Sequence, residues 1–107
     1  MGLIMRDMQK QFDIYNDLIF DNAVPYCEIV IKKKLHENAM GYFYGDFDEN
    51  GNKLYTIELS KGYDNMGITL IHEMVHALQF KLNKPVNHKG YFKQWKKWIS
   101  HEFGLDI

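Results

Sequence analysis

The sequence predicts an α+β fold in which one helix precedes a three-stranded sheet and two helices follow it. Apolar residues recur at helical spacing near the start of the chain and again over its second half. Three short runs rich in β-branched and aromatic residues lie between these regions. A chain of 107 residues that is 46% hydrophobic and 15% aromatic can bury one small core. We therefore expect a single domain over residues 1–107.

The first helix is predicted over residues 4–20. Five side chains share its apolar face: Ile4, Met8, Phe12, Tyr15 and Ile19. The segment from Asn22 to Pro25 holds the polar and proline residues that end a helix. Residues 26–32 are β-branched at their centre and predict the first strand.

A hairpin is predicted from Gly41 to Leu59. Its strands are Gly41–Phe47 and Lys53–Leu59, and residues 48–52 form the turn. Residues 46–51 also match the first half of a calcium loop, but the position that requires glutamate is Ile57. We therefore interpret these residues as a hairpin turn.

Two helices complete the predicted fold. Asp64 is a suitable N-cap for a helix that continues to Leu82, where residues 83–85 (Asn-Lys-Pro) stop it. The last helix is predicted from Lys89 to Phe103, with Gly104 as its C-terminal stop.

The first of these helices carries His72-Glu73-Met74-Val75-His76, which matches H-E-x-x-H. At 100° per residue the two histidines lie about 40° apart, so both imidazoles can reach one ion. The apolar stripe of this helix lies on another side, formed by Ile71, Met74, Val75, Leu78 and Leu82. Glu73 lies beside the histidines and off this stripe, where its carboxylate can accept a proton from water that the ion activates.

A catalytic zinc ion requires a third protein ligand and one open position. His88 is the first choice, because it follows His76 by twelve residues and a short loop can return it over the pair. Glu102, His101 and His36 are the alternatives. His101 and Glu102 lie about 20 Å beyond His88 along the last helix and cannot share its site. We predict Zn²⁺, although three histidines also bind other divalent ions.

Charge and composition exclude several classes of protein. The net charge of −1 rules out binding to nucleic acid mainly through bulk charge. Cys27 is the only cysteine, which excludes an internal disulfide and predicts a buried apolar side chain. No apolar run is long enough to span a bilayer, and the N-terminus has no secretory signal. We expect a cytoplasmic monomer that does not bind membranes.

Residues 81–97 contain six lysines and no acidic residue. Aromatic residues are interleaved with these lysines: Tyr91, Phe92 and Trp95 lie between them, and Trp98 directly follows the last one. Basic segments with interleaved aromatic residues can bind single-stranded nucleic acid, so DNA is a candidate partner of this segment. A solvated lysine face on a helix whose aromatic residues point inward is the alternative interpretation.

The chain resembles the SprT-like (Spartan-type) zinc metallopeptidase family. The resemblance is carried by residues 69–78, which read TLIHEMVHAL, and by His88 with Phe92 four residues later. Residues 15–20, 40–42 and 57–60 are similar to the family's first helix and two of its strands. In this chain Lys89 stands between His88 and Gly90, whereas the family often has glycine directly after the third histidine.

This resemblance implies a small zincin-like domain that cuts proteins, including proteins crosslinked to DNA. Its zinc ligands map onto His72, His76 and His88, and its catalytic glutamate maps onto Glu73. Many relatives carry a four-cysteine zinc ribbon, which these 107 residues do not contain. The DNA-linked role therefore depends on other residues, with segment 81–97 as the candidate.

These observations predict a zinc-dependent endopeptidase with Glu73 as its general base. Tyr63 and Tyr91 are candidates for stabilising the oxyanion, and the strand Lys53–Leu59 could pair with an extended substrate if it lies at a sheet edge. The alternative function is a non-catalytic, metal-containing regulatory module that binds DNA or protein.

Overall fold

The structure is a computed structural model that describes residues 2–107, with side chains from Met8 onward. It confirms the α+β fold. The elements in chain order are helix α1 (Gly2–Leu18), strand β1 (Glu28–Lys32), a short 3-10 helix (His36–Asn38), strands β2 (Gly41–Phe47) and β3 (Lys53–Ser60), and helices α2 (Met66–Lys81) and α3 (Tyr91–Phe103).

The three strands form one mixed sheet in the order β1-β3-β2. Strand β1 pairs with β3 in parallel, with Ile29 opposite Ile57, and β2 pairs with β3 antiparallel, with Phe43 opposite the same Ile57. The prediction that the strand Lys53–Leu59 could lie at an edge is wrong. Because β1 adds to the side of β3 that the hairpin leaves free, β3 is central and β2 is an edge strand.

The hairpin turn between β2 and β3 is confirmed. The backbone N–H of Asp48 donates to the carbonyl of Asn52 over 2.9 Å, and Asp48 Oδ1 accepts from the N–H groups of Asn50 and Asn52. These hydrogen bonds lower the pKa of Asp48 below its usual value. Gly51 has a φ of 82°, which glycine adopts without strain. The acidic turn is therefore held by hydrogen bonds to the backbone and the side chain of Asp48.

Helix α1 ends earlier than predicted, at Leu18 instead of residue 20. Asp21 and Asn22 adopt left-handed conformations there, and the side chain of Asn16 bonds to both the N–H and the carbonyl of Val24. Met8, Phe12 and Ile19 are buried as expected, while the side chain of Ile4 lies outside the described residues. The first strand begins at Glu28, two residues later than predicted.

Helix α2 lies at the centre of the molecule. It packs on β2 and β3 and is flanked by α1 and α3, so ten of its sixteen residues are buried. A Cβ on Gly67 would lie 2.7 Å from the hydroxyl oxygen of Tyr15, so glycine permits the close approach of α1. The N-cap of α2 is Asn65 and not Asp64. Leu82, which was predicted to belong to the apolar stripe, is instead the C-cap of the helix and is 45% exposed.

Helix α3 begins at Tyr91 and not at Lys89. It ends at Phe103, and Gly104 is its C-cap with a φ of 67°, as predicted. Its Trp95 contacts Phe20 at a ring-centroid distance of 4.9 Å, which joins α3 to the segment after α1. Cys27 is fully buried, as expected, and burial raises the pKa of its thiol to about 12. Among the described helices, none has the length and apolar character needed to cross a bilayer.

Candidate metal centre

Three imidazoles converge at the surface of α2. His72 and His76 project from adjacent turns of this helix, and His88 lies in the loop before α3. The Nε2 atom of His88 is 3.1 Å from Nε2 of His72 and 3.2 Å from Nε2 of His76. The loop therefore returns His88 to the histidine pair, as the spacing predicted.

The other ring nitrogens of the helical pair meet backbone or amide oxygens. His72 Nδ1 lies 3.1 Å from the main-chain oxygen of Ile107, and His76 Nδ1 lies 2.7 Å from Oε1 of Gln79. An oxygen that only accepts requires Nδ1 to carry the proton. Both Nε2 atoms are then left with a lone pair directed at the cluster, which is the protonation state of a metal-binding imidazole.

Phe92 forms the apolar side of the cluster. Its ring is buried, and its centroid lies 4.7 Å from that of His72 and 4.9 Å from those of His76 and His88. The ring thereby fixes the orientation of three imidazoles at once. Phe92 reaches this position because it lies in the first turn of α3, four residues after His88.

Glu73 lies next to the cluster in a dry environment. It is 5% exposed, and burial raises the pKa of its carboxyl group to about 8. Burial also lowers the pKa of His76 to about 4 and lowers that of His72. In the metal-free chain these shifts favour the neutral forms of all three side chains.

A cleft of about 240 Å³ opens beside these residues. His72 and Glu73 line it from α2, Met40 and Gly41 line it from the start of β2, and Ile107 closes one side. Gly41 is the first residue of an edge strand, so the cleft adjoins the start of that strand. A group bound in the cleft would contact the imidazole and the carboxylate together.

The donor set fits a divalent ion such as zinc. In a tetrahedral zinc site with Zn–N distances of 2.0–2.1 Å, ligand nitrogens lie about 3.3 Å apart. The Nε2 atom of His88 lies 3.1 and 3.2 Å from those of His72 and His76, which is close to this value. Among the described residues, these three histidines are the group of histidine, cysteine and acidic side chains close enough to hold one ion.

The alternative third ligands lie elsewhere. The side chains of His36 and His101 are 84% and 85% exposed, and each lies near an adjacent glutamate, Glu37 and Glu102 respectively. None of His36, His101 and Glu102 joins the cluster. His101 and Glu102 are on the last turns of α3, far along the helix from the loop that holds His88.

Neither tyrosine considered for oxyanion stabilisation lines the cleft. The hydroxyl of Tyr63 donates to the carbonyl of Asn38 over 2.6 Å, and the ring of Tyr91 packs against Trp95 and under the ammonium group of Lys84. The residues that line the cleft include no tyrosine. The structure therefore does not support either tyrosine in that role.

Gln79 is the site residue that the motif did not reveal. It is 1% exposed, accepts from His76 Nδ1, and donates from Nε2 to the carbonyl of Asn87 over 2.9 Å. At 100° per residue, Gln79 falls about 20° from His72 and 60° from His76 on the helix. Its position three residues after His76, on the same face of the helix, could therefore have identified Gln79 as a residue of the site.

The lysines of residues 81–97 divide into two groups. Lys81 donates to the carbonyl of Ala23, Lys84 lies over the Tyr91 ring, and Lys96 pairs with Asp106 at 2.7 Å. Lys89, Lys93 and Lys97 are exposed, and no ion pair involves them within the described chain. The aromatic residues are also mixed: Phe92 is buried, whereas Trp98 is 41% exposed.

Comparison with known families identifies the family of this chain. No protein with a curated description matches the chain. A family model described as the SprT-like family matches residues 8–107, which include the histidine cluster, Glu73 and every strand of the sheet. The chain therefore belongs to the SprT-like family.

Proposed function

We propose that the protein is a zinc-dependent endopeptidase that uses Glu73 as its general base. The observation that carries the proposal is the convergence of three imidazole Nε2 atoms beside a buried carboxylate that lines a cleft. Membership of the SprT-like family supports a peptidase-like domain. His72, His76 and His88 would hold the metal.

A divalent ion held by these residues supplies Lewis-acid polarisation of a carbonyl group and increases the acidity of water. The positive charge of such an ion would favour the ionised form of Glu73, which accepts the proton of the attacking water and delivers it to the amine that leaves. Its burial excludes bulk water, so a proton taken up there stays available for the leaving group. The Nδ1–H groups of His72 and His76, donating to Ile107 and Gln79, keep both rings in the binding tautomer.

The peptide substrate would lie along β2. Strand β3 is paired on both sides, whereas β2 has a free edge that begins at the cleft with Gly41. An extended peptide that adds to this edge gains backbone hydrogen bonds without a sequence requirement. Its scissile bond would then pass His72 and Glu73.

The test compares Glu73→Gln with the wild type on casein. We expect the variant to retain one zinc per chain and to lose cleavage, because glutamine keeps the shape of the side chain but accepts no proton. Glu102→Gln, on an exposed face of α3, is the matched control and should cleave normally. Undiminished cleavage by the Glu73 variant would refute the role of Glu73.

We also propose that the substrates are proteins associated with DNA, as in the repair of DNA–protein crosslinks. Lys93 and Lys97 support this proposal, because they lie four residues apart on α3, are exposed, and are followed by the partly exposed Trp98. Two free ammonium groups and an aromatic ring suit a single strand of DNA.

The DNA proposal is tested by the anisotropy of a labelled single-stranded oligonucleotide at several salt concentrations. We expect salt-dependent binding whose salt slope falls by about 1 to 2 in Lys93→Gln/Lys97→Gln, but not in the control Lys33→Gln/Lys34→Gln. If the salt slope is the same in Lys93→Gln/Lys97→Gln as in the control variant, the surface formed by Lys93 and Lys97 does not bind the oligonucleotide. Metal and DNA binding without Glu73-dependent cleavage would instead favour the non-catalytic regulatory module.

A further inference from the structure

We propose that Gln79 is a positioning residue that couples two of the metal ligands. Its one amide group contacts His76 directly and the residue before His88 through the backbone. The proposal rests on the metal site proposed above, and it concerns how this chain orients that site.

The orientation of the Gln79 amide follows from its partners. The carbonyl oxygen of Asn87 can only accept a hydrogen bond, so the atom of Gln79 that faces it over 2.9 Å must be the –NH₂ nitrogen. The amide oxygen then faces His76 Nδ1 at 2.7 Å and can only accept. This arrangement requires the proton of neutral His76 to be on Nδ1 and leaves the Nε2 lone pair for the ion.

The same amide holds the loop that carries His88. The carbonyl of Asn87 accepts from Gln79, and the side-chain oxygen of Asn87 accepts from the N–H of Lys89 over 3.0 Å. His88 lies between these two anchored positions. Since the side chain of Gln79 is 1% exposed, water does not compete for its hydrogen bonds. One buried side chain on α2 therefore fixes the tautomer of one ligand and the backbone next to another.

The proposed role requires a hydrogen-bond donor and an acceptor on the side chain, whereas packing alone requires only its volume. A side chain of equal size without polar atoms would fill the space but would leave His76 Nδ1 and the Asn87 carbonyl without partners. A carboxylate would keep the acceptor for His76 and lose the donor to Asn87. The two substitutions separate the two halves of the role.

The experiment measures Zn²⁺ affinity by competition with a chelating dye, together with the imidazole ¹⁵N shifts of metal-free His76. For Gln79→Leu we expect about 10–100-fold weaker affinity and loss of the dominant Nδ1–H tautomer. For Gln79→Glu we expect the tautomer to remain and the affinity to fall less. Gln94→Leu, at an exposed position of α3, is the control and should match the wild type.

Unchanged affinity and tautomer in folded Gln79→Leu would overturn the proposal. If Gln79→Leu does not fold, either of two other results would overturn the proposal. One is a wild-type chain in which metal-free His76 carries its proton on Nε2. The other is a Gln79→Glu variant that keeps the wild-type Zn²⁺ affinity although His76 has lost its Nδ1–H signal. A wild-type chain that binds no zinc but holds His76 as Nδ1–H would refute the metal site while leaving the contact of Gln79 with His76 intact.

Discussion

Gly41 faces Glu73 so closely that a Cβ on Gly41 would lie 3.2 Å from Oε2 of the carboxylate. The same Cβ would lie 2.7 Å from Cγ2 of Thr69 and 3.1 Å from the main-chain oxygen of Glu58. The first residue of β2 therefore has no room for a side chain. This contact sets the distance between the edge strand and the helix that carries the histidines.

Gly41→Ala is expected to destabilise the protein by about 1–3 kcal/mol, because the added methyl group must displace β2 or α2. Cleavage should fall further than zinc binding, since the added methyl group would press directly on Glu73 and Thr69 and on none of the three imidazoles. Thermal unfolding and casein cleavage measure the two effects. Gly62→Ala is the control, because its Cβ would meet ordinary contacts of 3.6 Å or more. Equal behaviour of the two variants would contradict this prediction.

Phe92→Ala is expected to cost about 3–5 kcal/mol of stability, as for other buried phenylalanines. It should also weaken zinc binding, because the ring contacts all three imidazoles. Phe103, on the same helix, is 41% exposed and provides the control. Denaturant unfolding of both variants, with zinc titrations of each, tests the prediction. A Phe103→Ala variant as damaged as Phe92→Ala would argue against it.

His88→Ala should reduce bound zinc from one ion per chain to a fraction of that value. His101→Ala should retain the full ion, because His101 is exposed and lies outside the cluster. Metal analysis of the purified variants measures both. Full zinc occupancy in His88→Ala would show that another group is the third ligand.

The stability of the metal-free chain should contain a pH-dependent contribution from Glu73. Burial raises its pKa from 4.5 to about 8, so between these values the folded chain holds a proton that the unfolded chain has released. This contribution is present in full below pH 4.5 and is lost as the pH rises towards 8, at up to about 1.4 kcal/mol per pH unit.

Glu73→Gln removes this titration and leaves the histidines unchanged. The stability of metal-free Glu73→Gln relative to the metal-free wild type should therefore increase from pH 5 to pH 8. Urea unfolding in the presence of a chelator, at several pH values, gives the comparison. A difference that is constant with pH would be inconsistent with a buried, protonated Glu73.

The relative direction of the two helical histidines was predictable because helical geometry is regular. His72 and His76 share a helix, so their spacing fixes their relative direction, and Glu73 follows from the same rotation. His88 is in a loop, whose path depends on contacts such as that of Gln79 with Asn87. Its convergence could be expected from the sequence but not calculated.

The central position of β3 in the sheet could not be predicted from local sequence patterns. Alternation and turn residues identify the hairpin, but they do not say which hairpin strand β1 will join. That choice depends on α2, which packs across β2 and β3 and leaves β1 to pair with β3 and to pack against α1. The prediction of an edge for β3 failed for this reason.

The burial of Glu73 and Gln79 was likewise hidden from the helical pattern. An amphipathic helix is expected to expose its polar side, whereas α2 is covered by the sheet on one side and by α1 and α3 on others. Both polar residues are thereby enclosed. Tertiary packing, and not the periodicity of the helix, decides which polar residues are buried.

The hydrogen bond between His72 and the main-chain oxygen of Ile107 has a consequence for anything attached beyond that residue. An added segment would start next to the ring of His72, at the rim of the cleft that Ile107 lines. A polyhistidine tag fused there would bring additional imidazoles next to His72, His76 and His88, which would compete with these three side chains for an added metal ion.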